Sequence, residues 1–178
     1  VRARAIPLRG ITTCIRHFGP DRARSIARGA ADTAGDWLVG FGMAGDELIG
    51  QPGDYTWAFD CAREAGLRIT VHAGEWGGAA SVRAALDQLS PERIGHGVQA
   101  IEDLALVDRL AEDGIVLECC PGSNVVLGVF KDWPSHPIER LRERGVKVTV
   151  STDDPPFFGI TMASDYENLN RHFGWDAA

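Results

Sequence analysis

The sequence predicts an α/β chain folded as an incomplete (β/α)8 barrel of the TIM type, about six βα units in a single domain over residues 1–178. Three observations carry that expectation. Strand-like runs alternate with helix-like segments, and such alternation builds a parallel sheet. The strands begin 22 to 31 residues apart, near the roughly 31 residues per unit of a barrel with about 250 residues. Glycine and unusual polar groups stand at the carboxyl end of nearly every strand, where barrel enzymes gather their active-site residues. On strand count alone, an open flavodoxin-like sheet remains the alternative.

The elements follow in order. Gly10–Arg16 reads as a strand through Ile11-Thr12-Thr13-Cys14-Ile15, and Pro20–Ala34 as the helix after it. Trp37–Met43 is the second strand; Tyr55–Ala65 is helical and stops at Gly66, the position where a left-handed glycine ends a helix. Leu67–His72 is a near-continuous apolar strand, followed by a helix over Ala79–Leu89 and a short strand at Arg93–Gly95. Ile101–Asp113 is helical and stops at Gly114; Ile115–Cys119 is the fifth strand. Pro137–Arg144 is helical up to Gly145, Val146–Ser151 is the sixth strand, and a last helix lies near Ala163–His172.

At 44% hydrophobic and 24% charged residues, the chain has ordinary globular usage, which excludes a disordered tail, a collagen-like repeat and a disulfide-stapled miniprotein. Its net charge of −7 is uneven: residues 1–30 hold seven arginines against Asp21, leaving an acidic body. An acidic body argues against nucleic acid, whose binding is built on Lys and Arg contacts. No apolar run approaches the ~20 residues that span a bilayer. The expectation is a soluble, cytoplasmic protein with a small-molecule partner and neither nucleic acid nor membrane. Cys14, Cys61, Cys119 and Cys120 show no CxxC spacing and read as reduced, buried thiols.

Chemistry concentrates at the strand ends. His72, His96 and Asp153 offer the N and O donors that zinc accepts at about 2.0–2.2 Å. Glu75 lies three residues beyond His72, placed to act as a general acid or base. Asp153 and Asp154 offer divided roles, one holding metal and one accepting a substrate hydrogen bond. Each has a plainer reading. A strand-end histidine is often a core residue; Asp153-Asp154-Pro155 can cap a helix; Asp46-Glu47 can be helix-start acids; Gly45 can serve a tight turn. His17, His136 and His172 read as loop or helix polar residues. Ser81, Ser123 and Ser151 lack a GxSxG elbow, and Cys120 lacks a legible His–Asn/Asp pairing. Three metal-capable groups ending three separate strands favour the functional reading.

The wording of these segments resembles the adenosine deaminase family. Val71-His72-Ala73-Gly74-Glu75, Arg93-Ile94-Gly95-His96-Gly97, Glu118-Cys119-Cys120-Pro121-Gly122-Ser123-Asn124 and Ser151-Thr152-Asp153-Asp154-Pro155 match it in order and spacing. Ile15-Arg16-His17 and Met43-Ala44-Gly45-Asp46-Glu47 look like its third and fourth strand ends. The resemblance implies a zinc-dependent (β/α)8 hydrolase of purine salvage. Its reaction would convert adenosine and 2′-deoxyadenosine to the inosine products plus ammonia. It implies one Zn2+ held by His72 and Asp153, and Glu75 as the acid that protonates the purine at N1. His96 would position or deprotonate the attacking water, Gly45 would give a backbone N–H to the ring, and Asp154 would face N7. Adenine deaminases look similar but typically read R-I-D-H-G where this chain has Arg93-Ile94-Gly95-His96-Gly97, and they lack the Ala44–Glu47 stretch. Both differences favour the nucleoside. An adenine or other 6-aminopurine deaminase is the alternative, and a non-catalytic nucleoside-binding relative the second.

The chain also departs from the family. The family's first strand carries a His-x-His pair supplying two further zinc ligands, and no His-x-His occurs in these 178 residues. The first strand here matches the family's third, so the expectation is a portion lacking strands one and two and inactive alone, the full-length parent being the enzyme. Gly122 stands where the family more often has a larger residue, and Gly159 where a polar one is common.

Overall fold

A computed structural model describes residues 8–176. Six strands form one parallel sheet: β1 (Gly10–Ile15), β2 (Leu38–Ala44), β3 (Arg68–Ala73), β4 (Arg93–His96), β5 (Val116–Cys119) and β6 (Lys147–Val150). Their spatial order is the chain order, β1-β2-β3-β4-β5-β6. A doubly wound sheet reverses its order at a switch point. No reversal occurs here, which removes the flavodoxin-like alternative. The sheet is a sector of a barrel left open between β1 and β6.

The connections are helical: α1 (Gly19–Thr33), α2 (Thr56–Glu64), α3 (Gly78–Leu89), α4 (Leu104–Glu112), then α5 (Pro121–Val126) and α6 (Ile138–Glu143) between β5 and β6, with α7 (Pro155–Phe158) and α8 (Met162–Phe173) last. Two expectations are adjusted. α4 begins later than Ile101, because the Asp103 carboxylate accepts the Leu106 N–H at 3.2 Å and starts a new helix after a 3-10 turn. The brief helices α5 and α7, each opened by proline, have too few residues to show an apolar period.

Alternation along the strands separates two faces. Ile69, Val71 and Ala73 of β3, Ile94 of β4 and Leu117 and Cys119 of β5 are buried in one core with Val82, Leu86, Leu106 and Leu110 of the helices. The opposite face is polar. Thr70 Oγ1 and Arg93 Nε donate to the two Glu118 carboxylate oxygens at 2.7 and 2.5 Å. His72, two residues beyond Thr70, continues this face to the carboxyl edge of the sheet.

The structure gives Gly122 a reason. A Cβ there would run into the Asp165 carboxylate of α8, which is fully buried with neither oxygen hydrogen-bonded. Burial raises the Asp165 pKa from 3.8 to about 6; the Gly122 N–H near the carboxylate works the other way but does not make a full hydrogen bond. The cost of that charge is therefore present above pH 6 and gone below 3.8, where folded and unfolded chains are both protonated. Asp165→Asn is expected to raise the thermal unfolding temperature at about pH 8, with the gain fading towards about pH 4. A gain that does not change with pH would contradict the assignment. Nothing in the structure explains Gly159, beyond its left-handed place at the end of α7.

Candidate functional site

The strand ends meet at one cavity of roughly 630 Å³, lined by Gly45, His72, Glu75, His96, Asp153 and Asp154 among others. A larger hollow of about 880 Å³ lies along α8 and holds none of these groups. All six residues singled out in the sequence therefore share one hollow, brought there by four strand ends: Gly45 follows β2, His72 and Glu75 come from the end of β3, His96 ends β4, and Asp153 and Asp154 follow β6.

His72 and His96 stand edge to face, with ring centroids 5.0 Å apart. A side chain on Gly95 would press into the His72 ring, so glycine leaves room for that ring where it now stands. The donor atoms of His96, Cys120 and Asp153 lie within 4.8 Å of one another. Ser123 Oγ donates to Asp153 Oδ2 at 2.7 Å and so fixes that carboxylate. His96 and Asp153 have φ of 62° and 59°, a left-handed region that is costly for residues with a Cβ. Strain of this kind persists where surrounding structure over-determines it, and it clusters at functional sites.

His96, Cys120 and Asp153 are donor types that zinc accepts; His72, which the sequence singles out as a ligand, is not in that three-atom cluster and adjoins it through its ring contact with His96. Burial lowers the pKa of His72 against the pull of Asp153, and burial with the neighbouring His72 lowers His96 to about 4. Both imidazoles are neutral at pH 7 and keep a lone pair to offer. Burial, then the Asp153 charge, pushes the Cys120 thiol up, which removes it as a free thiolate nucleophile.

Glu75 is set differently. Burial, with the Asp153 and Glu47 carboxylates adding to it, raises its pKa to about 7 against a 2.9 Å hydrogen bond from Asn124 Nδ2 to Oε1. It can thus hold or release a proton near neutrality. The turn carrying it is held by Glu47. Glu47 Oε2 accepts from Gly74 N and Ser81 Oγ, both at 2.6 Å, and Oε1 accepts from Glu75 N at 2.7 Å and Trp76 N at 3.2 Å. Burial alone would raise the Glu47 carboxyl, but these bonds outweigh it and hold it below its ordinary value. Buried Arg16 supports the same stretch from below, its Nη2 donating to the His72 carbonyl at 3.2 Å.

Two plain readings fail against this geometry. Glu47 starts no helix, and its partners lie 27 to 34 residues away. Asp154 occupies the N-cap position of α7 but makes no side-chain cap bond, leaving an exposed carboxylate at the cavity. Gly45 has φ +95°, and a Cβ there would come 2.9 Å from His17 Nδ1, so both backbone and space call for glycine at the cavity edge. His17 is an exposed residue of the 3-10 turn after β1, as expected, and its ring lies beside Gly45 at the edge of the cavity.

The family model for adenosine deaminase matches residues 1–178. The chain belongs to the adenosine deaminase family. It is 53% identical to the adenine deaminase of Rhizobium leguminosarum over 97% of its own length and 54% of that protein's. It spans, then, about half the length of the curated relatives it matches. Among solved structures it is similar to an adenine deaminase from Arthrobacter aurescens, with TM-score 0.86 and 32% identity over 93% of this chain and 50% of that one. A zinc-bound amidohydrolase from Burkholderia ambifaria matches with TM-score 0.84 and 30% identity over 94% and 47%. Hydrolytic deamination of an aminopurine is thus supported at family level. The preference for adenosine is not: the relatives are named for adenine.

For this member of the family, sequence reasoning passed over Glu47 and Asn124 as parts of the site and weighed Cys120 only as a nucleophile. Ser123-Asn124 and Asp46-Glu47 were visible as polar groups at strand ends, which is a usable signal. Their partners were not visible, because each contact joins separate βα units.

Proposed function

We propose that this chain carries the proton-donating and metal-binding half of a zinc-dependent deaminase. The reaction takes adenine and water to hypoxanthine and ammonia. The observation that carries the reading is Glu75: a partly buried carboxyl with its pKa raised to about 7, in one cavity with His72, His96 and Asp153. Attack of water at C6 breaks the ring's aromaticity and pushes charge onto N1, and a neutral carboxylic acid can protonate N1 as the charge develops. His96, a neutral imidazole, accepts the proton of the attacking water. His72 and Asp153 would hold the zinc, Ser123 orienting the carboxylate. Bound there, zinc supplies the Lewis acidity that makes water nucleophilic at neutral pH.

Two features favour adenine over its nucleoside. Curated relatives at 50–54% identity are named adenine deaminase. The exposed Asp154 carboxylate accepts directly from the N7–H tautomer of a free base, whereas a nucleoside has no hydrogen on N7. The differences that pointed to adenosine have internal uses instead: Glu47 turns inward to hold residues 74–76, and Gly95 makes room for the His72 ring.

The test is ammonia release by the full-length, zinc-loaded protein from adenine, adenosine and AMP side by side. Adenine is expected to have the highest kcat/KM, and removal of zinc by a chelator to abolish turnover until zinc is restored. Turnover of adenosine or AMP with adenine inert would overturn the substrate assignment.

A further inference from the structure

His136 is buried behind the site, its ring edge-on to Phe130 at a centroid distance of 5.0 Å. Its two nitrogens face different partners. The backbone N–H of Ile138 donates to Nδ1 at 3.2 Å, and Nε2 lies 3.2 Å from Asn124 Oδ1. A neutral imidazole has one donor and one acceptor nitrogen. The Ile138 N–H can only donate, so Nδ1 is the acceptor and Nε2 carries the hydrogen. Burial, helped by Arg140, lowers the His136 pKa to about 3, so the ring stays neutral across the working range.

That tautomer decides the orientation of Asn124. The Nε2–H of His136 requires an oxygen opposite it, which turns the carboxamide Nδ2 towards Glu75 Oε1 at 2.9 Å. The flipped carboxamide would set its NH2 against an N–H and its oxygen against Glu75. His96 Nδ1 lies 3.5 Å from the same Nδ2. Oε1 of Glu75 is thereby committed as an acceptor, and the proton of the neutral acid sits on Oε2. The backbone of α5 holds Asn124 in place, its N–H donating to the Cys120 carbonyl at 2.9 Å.

We propose that His136 is a positioning residue for deamination, acting through the Asn124 carboxamide to fix which oxygen of Glu75 delivers the proton. The inference rests on Glu75 being the donor proposed above. It goes beyond that reading in giving a role to a histidine that touches neither substrate nor metal donors. The order of transmission is Ile138 N–H, His136, Asn124, Glu75. The first two links are buried hydrogen bonds and the last is partly buried, each oriented by the one before it.

Two measurements on the full-length, zinc-loaded protein test it. Nitrogen NMR of histidine-labelled protein is expected to find His136 neutral with hydrogen on Nε2; hydrogen on Nδ1 would overturn the relay whether or not the protein deaminates adenine. Kinetically, His136→Phe keeps the ring packing and removes the donor. It is expected to lower kcat roughly tenfold to a hundredfold with KM within about twofold and zinc content unchanged. His136→Gln, which restores an N–H donor, should recover much of the loss. Asn124→Asp accepts from His136 but cannot donate to Glu75, and should lower kcat at least as far, with the double variant little worse than either. If His136→Phe lowers only stability and leaves kcat intact, His136 is merely structural and the proposal fails. A wild-type protein inert towards every aminopurine overturns the deaminase reading, and His136's role in it, even with the expected tautomer.

Discussion

Replacing Glu75 by Gln is expected to remove nearly all turnover, a loss of roughly a hundredfold to ten-thousandfold in kcat, the range a positioned general acid contributes. The carboxamide keeps the size of the side chain and can still accept from Asn124 through its oxygen. It cannot surrender a proton to N1. Binding of zinc and of the purine product should change little, because the cavity walls and the His72, His96 and Asp153 donors are untouched. Pre-steady-state mixing with adenine and a zinc assay on the same sample separate the two effects. Loss of zinc together with activity would mean that Glu75 holds the metal site and is not the proton donor.

The second large effect belongs to Glu47→Leu. One carboxylate satisfies three backbone N–H groups of the turn at Gly74, Glu75 and Trp76, and the Ser81 hydroxyl as well. Removing it leaves these donors unpaired. A buried donor without a partner costs about 1–3 kcal/mol; three of these donors are only partly buried and the Trp76 N–H is exposed, so a loss of roughly 2 kcal/mol in unfolding free energy is expected. Arg16 would also lose the neighbouring negative charge that offsets its burial. Activity should fall by about a hundredfold from misplacement of Glu75 alone, as small displacements in an active site can cause. Glu47→Gln, keeping one acceptor oxygen, should lose less of both. The pH dependence has a definite sign. The Glu47 carboxyl is held below its ordinary 4.5 in the folded chain, so its stabilisation is complete above that value and is lost as the pH falls through the depressed folded one. The stability gap between wild type and Glu47→Leu should therefore narrow in acid. Denaturant titrations at several pH values measure it.

Much of this fold was legible because strand-length runs rich in apolar and β-branched residues alternate with helices, and glycines such as Gly66, Gly114 and Gly145 mark helix ends at φ of 82°, 68° and 85°. What choice of architecture needed was strand order, which periodicity does not contain. The strand-end groups His72, His96 and Asp153 were visible for a local reason: each stands where an apolar run stops. The supports around them were hidden for the converse reason. Glu47 reaches the turn after the next strand, Asn124 joins Glu75 across 49 positions, and the left-handed backbone of His96 and Asp153 leaves no mark in residue type. His136 looked like a loop histidine because its partner, Asn124, lies on a helix too brief to recognise. The bias towards adenosine came from Gly95 and Ala44–Glu47, whose purposes in the folded chain are steric and internal.

The reaction itself is tested most directly by incubating the full-length, zinc-loaded protein with adenine in heavy-oxygen water and weighing the purine product by mass spectrometry. Hydrolytic deamination at C6 predicts one solvent oxygen in each hypoxanthine formed, matched mole for mole by ammonia. Product without the label, or purine consumed without ammonia, would contradict the account.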